Sequence, residues 1–118
     1  QKSQILAEHC REVGTDYGAI VRSANVNAVL GSTEGDVEQR IRRVRDRLAG
    51  IAGEGAADAM MSMFSAPGSA AGTAEQVVEG LTKLRDLGCD YVICYFPEAA
   101  YDRSGIELFE REVIPALA

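Results

Sequence analysis

The side chains able to do chemistry in this chain are few and widely spaced. Its one histidine, His9, stands beside Cys10, and no second Cys or His lies at metal-ligand spacing. A zinc site would therefore need ligands from elsewhere, and beyond His9 no Ser–His or Cys–His nucleophile pair can be assembled. Gly72-Thr73, at the start of an amphipathic segment, is the best anion candidate. Backbone N–H groups at a helix N-terminus suit a negative charge, and a glycine lets a phosphate approach closely. The competing reading is that Thr73 only caps the helix, with Gln76 as its partner. Asn25 and Asn27 lie two apart on an extended segment and so on one face. They either offer amide hydrogen bonds to a ligand or form a polar packing layer, and the second reading is favoured. Arg40, Arg42, Arg43, Arg45 and Arg47 crowd one segment. Ile41, Val44 and Leu48 claim its inner face, however, while Asp36, Glu38 and Asp46 share the outer one. That pattern predicts a solvated face laced with i,i+4 pairs rather than a phosphate or nucleic-acid surface.

These residues must be held by elements that the hydrophobic spacing outlines. Leu6, Cys10, Val13 and Tyr17 follow helical spacing, with Gly14 as the stop. The Val-rich run 21–30 predicts a strand closed by Gly31. Thr33 with Asp36 resembles a capping box, and Val37, Ile41, Val44 and Leu48 line the helix that follows. Residues 49–72 are mostly Ala, Gly and Ser around Met60, Met61, Met63 and Phe64. They predict a mobile insertion in which a short helix around that cluster is possible, the apolar cluster being either a lid over substrate or a tether on the protein's rim or at a subunit contact. Thr73 and Gln76 form a capping box ahead of Val77, Leu81 and Leu84, and Gly88 ends that helix. The uninterrupted run 91–96 predicts a parallel strand covered on both faces, stopped by Pro97. Ser104 and Glu107 predict a further capping box, and Ile106, Phe109, Val113 and Leu117 a final buried stripe whose last turn is frayed by Pro115.

Two strands alternating with amphipathic helices indicate an α/β fold with a parallel sheet. Two strands are rarely stable alone and cannot cover four helices, so the chain reads as part of a larger α/β fold. Composition agrees with a soluble globular domain: of 118 residues, 47% are hydrophobic and 25% charged. A net charge of −6 disfavours a general nucleic-acid binder. No apolar run approaches the roughly 18 residues of a membrane span. Three scattered cysteines make no disulfide framework and read as reduced thiols in a cytoplasmic protein, Cys94 behaving as a small buried hydrophobe. The chain opens Gln1-Lys2-Ser3 with no leader pattern, which leads to the expectation that something upstream has been removed.

The stretch from Gly72 to Leu117 resembles the C-terminal end of the luciferase-like flavin- and deazaflavin-dependent oxidoreductases. Gly72, Thr73, Glu75 and Gln76 stand at that family's characteristic helix start, with Ala74 where a proline is common. Gly88 and Asp90 stand at the turn into its last strand, followed by Phe96 and Pro97. Phe109, Val113, Pro115 and Leu117 occupy its closing helix. Residues 9–48 are similar to the preceding helix–strand–helix unit. The resemblance implies that residues 1–118 are the C-terminal part of a (β/α)8 TIM barrel, holding its last two strands and their helices. It implies a parent oxidoreductase or monooxygenase using FMN or a deazaflavin on a small-molecule substrate, with Gly72 and Thr73 placed for cofactor phosphate. Barrels of this architecture often hold phosphate in the loops after strands seven and eight. The segment alone is expected to be inactive, its partner being the missing N-terminal barrel portion, and it offers no catalytic residue. The alternative is a short non-enzymatic α/β protein that completes its sheet by forming a homo-oligomer.

Overall fold

The computed structural model describes residues 1–65 and 69–118. Helix α1 (Lys2–Val13) ends at Gly14 in the left-handed conformation, as its glycine predicts. Tyr17 has left the helix for a 3₁₀ turn over Tyr17–Ala19. Of the α1 stripe only Cys10 is buried, while Ile5, Leu6 and Val13 remain exposed. Then follow β1 (Ser23–Leu30), α2 (Glu34–Ala52), α3 (Glu54–Met61), β2 (Ala70–Gly72), α4 (Ala74–Asp86) and β3 (Tyr91–Tyr95). The chain closes with α5 (Ser104–Leu108), a π-helical turn (Phe109–Val113) and α6 (Ile114–Leu117).

The fold is α/β with a small parallel sheet, and it differs from the two-strand expectation. The segment taken as an insertion contributes a third strand, β2, which pairs with β1 from Ala28↔Ala70 to Leu30↔Gly72. The rest of 49–72 is equally structured, carrying the end of α2, all of α3 and a 3₁₀ turn over Ser62–Phe64; its positions 66–68 lie outside the described residues. Alanine and glycine read as a linker because they carry no periodic signal, yet small side chains are what let β2 lie tightly against β1. Phe64 is buried and Met61 packs beside it against Val29 and Val44, whereas Met60 and Met63 stay exposed.

Strand β1 is the centre of the sheet, in the order β2-β1-β3, with all pairs parallel. Its alternate residues enter two cores. Val26, Ala28 and Leu30 meet Val77, Leu81 and Val113 on one face, while Val29 meets Val44 and Phe64 on the other. Helices thus cover both faces at the carboxyl end of β1, as in doubly wound sheets, where a strand order of this kind also occurs. A barrel sets consecutive strands side by side in chain order with every helix outside.

Strand β3 departs from the expectation of two covered faces. Val92 and Cys94 face the α4 core, but Tyr91, Ile93 and Tyr95 are 59%, 39% and 52% exposed. An unbroken apolar run cannot reveal which of its two faces a neighbour will cover. The final helix also differs in detail. The π-helical turn just before Pro115 shifts the hydrogen-bond ladder, and Pro115 falls in the first turn of α6, where its missing N–H costs little.

Two glycines are fixed by close approach rather than flexibility. A Cβ on Gly31 would lie 2.7 Å from the backbone nitrogen of Val37 and 2.9 Å from Asp36 Oδ2, because the first turn of α2 folds directly over it. A Cβ on Gly72 would lie 2.7 Å from Gln76 Oε1. Gly31→Ala is expected to destabilise the fold by about 2 kcal/mol through overpacking against backbone. Gly50→Ala, at a position with open space around it, is expected to be neutral or mildly stabilising. Urea denaturation midpoints of the two variants check both expectations.

Candidate functional site

The helix start at Gly72-Thr73 is built as a complete capping box. Thr73 Oγ1 accepts from the Gln76 N–H at 3.5 Å, and Gln76 Oε1 accepts from the Thr73 N–H at 3.0 Å. A cavity of about 360 Å³ lies alongside, bordered by Ser32, Thr73, Glu75, Arg111 and Glu112. Its chemistry is mixed. Arg111 is already paired with Glu112 at 3.0 Å, and Gln76 Nε2 donates to Glu34 Oε1 at 2.9 Å. The position above Gly72 where a phosphate could come closest is taken by the Gln76 side chain. As they stand, these residues do not form a phosphate site by themselves. An anion here would have to displace Gln76 and would face Glu34, Glu75 and Glu112 with one cation among them.

Asn25 and Asn27 lie on the open face of the sheet, where Asn25 is exposed and Asn27 half-buried. Their register partners are Ile93 and Tyr95 on β3. The face therefore consists of Ser23, Asn25 and Asn27 beside Tyr91, Ile93 and Tyr95, with no charged side chain among them. Asn27 is three residues short of Leu30, the partner of Gly72, which is about 10 Å at strand rise. The asparagines and the helix start are thus separate places on the molecule.

His9 lies against Glu12 at 3.3 Å on an exposed helix face. Among the described residues no group of three or more His, Cys, Asp or Glu could hold a metal ion. Cys94 is half-buried, and its burial pushes the thiol above its ordinary range. Cys89 donates weakly to the Tyr91 carbonyl at 3.3 Å. Among the described residues no helix is long and apolar enough to cross a membrane.

The densest polar constellation is one the sequence reading passed over. The arginines of α2 do not all form local pairs. Arg40, Arg43 and Arg47, spaced i, i+3, i+7 on one face, all reach across to the connection after β3. Arg40 makes the expected i,i+4 contact with Asp36 Oδ2 at 3.2 Å, but also meets Glu98 Oε2 at 3.3 Å, Asp102 Oδ2 at 3.5 Å and Ser104 Oγ at 2.8 Å. Arg43 meets Asp102 Oδ2 at 3.3 Å, and Arg47 stacks 3.8 Å above the Tyr101 ring. Arg45, on another face, binds Glu54 and Asp58 of α3. The i, i+3, i+7 spacing against Glu98 and Asp102 was the available signal. It is invisible without knowing that β3 lies beside β1.

The predicted capping boxes at Thr33 and Ser104 are diverted into this cluster. Thr33 Oγ1 does accept from the Asp36 N–H, but the Asp36 carboxylate turns to the Ser32 N–H at 3.0 Å and to Arg40 instead of closing the box. Ser104 is the first residue of α5, and its N–H and hydroxyl both donate to Asp102 Oδ1, so Asp102 does the capping. The Ser32 N–H, and then Arg40, hold the Asp36 carboxyl below its usual range. The Ser104 hydroxyl and N–H do the same for Asp102. Glu98 goes the other way. It is 3% exposed, and burial raises it against the pull of Arg40.

All these side chains gather at the carboxyl ends of β1 and β3, where open α/β sheets commonly place their ligands. Here the place is filled by ion pairs within the chain, which hold the connection after β3 against α2. Arg40→Met is expected to cost about 3 kcal/mol, because it takes the shared cation from buried Glu98 and from the partly buried Asp36 and Asp102. Arg43→Met, at a half-exposed side chain, should cost under about 1 kcal/mol. Stability contributed by Asp36 and Asp102 is present above the ordinary aspartate range and is lost as pH falls through their lowered values. Thermal melts of wild type and Arg40→Met across acidic pH test both, the variant losing the share due to Arg40 and keeping the acid dependence held by Ser32 and Ser104. No protein-family model, curated protein or solved structure matches this chain.

Proposed function

We propose that this chain is the C-terminal segment of a luciferase-like oxidoreductase, inactive by itself. Its parent would use FMN or a deazaflavin for hydride transfer or monooxygenation of a small-molecule substrate. The observation that carries the reading is the open, uncharged face of a parallel sheet, lined by Asn25, Asn27, Tyr91, Ile93 and Tyr95. Such a face needs more polypeptide over it, and the interior of a barrel would supply that. The radius of gyration, 16.6 Å, exceeds the roughly 13.5 Å of a compact chain of this length, as an incomplete unit should. The cofactor would bring the redox chemistry, with the protein positioning substrate and excluding water. Gly72 and Thr73 would contribute only a neutral edge to its phosphate, the balancing cations coming from the rest of the parent. The reading carries one structural condition. In barrel order β3 would leave β1 and pair beyond β2, and α2 would move outside the sheet.

A second reading is favoured by the strand order itself. The order β2-β1-β3 with helices on both faces describes an open doubly wound unit, and an open face without charge can meet its own copy without repulsion. On this reading the chain is a non-enzymatic α/β protein that covers its sheet by self-association, each copy's β1 column of Ser and Asn lying over the other's β3 column of Tyr and Ile. Native mass spectrometry separates the two. A flavin-sized ligand or a longer polypeptide bound to the 12.6 kDa chain supports the oxidoreductase segment. Ligand-free dimers that dissociate in Ile93→Glu support self-association. A full-length reading frame that encodes no further strand–helix units upstream would overturn the first reading, and ligand-free monomers would overturn the second.

A further inference from the structure

The Arg40 cluster holds one negative charge more than it can pair. Asp36, Glu98 and Asp102 bring three carboxylates, and Arg40 and Arg43 bring two guanidinium groups, all joined within 3.5 Å. The excess is localised. Asp36 has the Ser32 N–H and Asp102 has Ser104, but Glu98 Oε1 is buried with no hydrogen-bond partner. The other orphaned buried atom is the hydroxyl of neighbouring Tyr101, whose ring is capped by Arg47. Gly105 packs close to the other carboxyl oxygen: a Cβ on it would sit 3.8 Å from Glu98 Oε2 and 3.5 Å from the Leu30 carbonyl. Among the described residues no lysine, histidine or further arginine is bonded to these carboxylates, the nearby Arg47 being stacked on the Tyr101 ring.

We propose that Glu98 is a proton-operated latch on the connection between β3 and α5, closed when Oε1 carries a proton and loosened when the carboxyl ionises. A proton on Oε1 brings the five-group cluster to neutrality and leaves Oε2 free to accept from Arg40. A neutral carboxyl is also far cheaper to bury than a carboxylate with a bare oxygen. The backbone of Glu98 is the hinge of the same connection, since its carbonyl accepts from the N–H of Tyr101 at 2.9 Å and of Asp102 at 2.8 Å. Glu98 is 3% exposed as it stands, so hydration of an ionised Oε1 requires the side chain to leave its site, which loosens that turn.

The sign follows from linkage. Burial raises Glu98 in the closed form, whereas in the open form it is an ordinary glutamate, so the closed form binds the proton more tightly. Closure is therefore strongest below the ordinary glutamate range and is lost as pH rises through the Glu98 titration. Asp36 and Asp102 have the opposite sign, which keeps their effect distinguishable. The latch does not depend on what covers the open sheet face.

The experiment is a carboxyl-carbon NMR titration of the full chain, run alongside amide hydrogen-exchange protection factors for Tyr101 and Asp102. Glu98 is expected to titrate above every other glutamate. The two protection factors should fall with its ionisation by at most about tenfold per pH unit, the limit for one proton. Glu98→Gln, a neutral isostere of the closed form, should abolish that dependence, and Tyr101→Phe should retain it. Should Glu98→Gln fail to fold, the wild-type titration and its two amides decide alone. Glu98 titrating with the other glutamates, protection that stays level or rises through its titration, or a dependence that survives in Glu98→Gln overturns the proposal.

Discussion

One guanidinium organises the carboxyl end of this sheet. Arg40 leaves α2 and binds Asp36 at the start of its own helix, Glu98 and Asp102 in the connection after β3, and Ser104 at the first turn of α5. Only Asp36 is near Arg40 in sequence; the other three lie within one stretch, residues 98–104. The planar fork of arginine makes this possible, since its donors diverge in fixed directions and a lysine would offer a single point of charge. The cost of desolvating the group is offset where its partners have second donors, the Ser32 N–H on Asp36 Oδ2 and Arg43 on Asp102 Oδ2, and Glu98 has none. Glu98 Oε1 is the exception, and the exception concentrates the cluster's electrostatic strain in one atom. The local choices around it fall into line. Gly31 lets α2 close over the end of β1, and Asp36 gives up half a capping box to reach Ser32 and Arg40.

The opposite end of the β1–β3 pair is fastened by a second, more exposed arginine. Arg22 donates from its backbone and its side chain to Asp90 Oδ2, and its carbonyl accepts from the N–H groups of Asp90 and Tyr91. Its guanidinium lies 4.6 Å from the Tyr17 ring, drawing the 3₁₀ turn after α1 against the sheet. The Arg22 N–H and then its side chain hold the Asp90 carboxyl below its usual range. The two clamps differ in kind. The Arg22 pair is open to solvent and sets register with little net stabilisation. The Arg40 cluster is largely shielded from water, so its contribution depends on complete pairing.

What was legible in the sequence follows the range of the interactions involved. The ends of α1 and α4, the Thr73–Gln76 capping box and the central run of β1 depend on residues within a turn or two, and local spacing marks them. Three things depended on distant partners and were not legible. Strand β2 has three small residues and becomes a strand only because Ala28 to Leu30 offer it an edge. The open face of β3 is indistinguishable from its covered face in an unbroken apolar run. The arginines of α2 present the same alternation of charge whether they face water or the Glu98 connection. In the candidate site, the cap at Thr73 was legible and the acidic surroundings from Glu34 and Glu112 were not, because those residues approach through tertiary packing alone.

The same distinction bears on how firmly β3 belongs where it lies. Its pairing with β1 runs over five residues, from Ser23↔Tyr91 to Asn27↔Tyr95, and is fastened at one end by Arg22 and at the other by the Arg40 cluster. The pairing of β2 with β1 runs over three residues, with no charged fastening at its edge among the described residues. A rearrangement into chain order would therefore have to give up the longer pairing and both clamps, keeping the shorter one. Burial of Tyr91, Ile93 and Tyr95, at roughly 1.5–3 kcal/mol for each large apolar side chain removed from water, is of the size needed to offset that loss. Covering the open face is thus a source of free energy large enough to bear on which sheet order prevails.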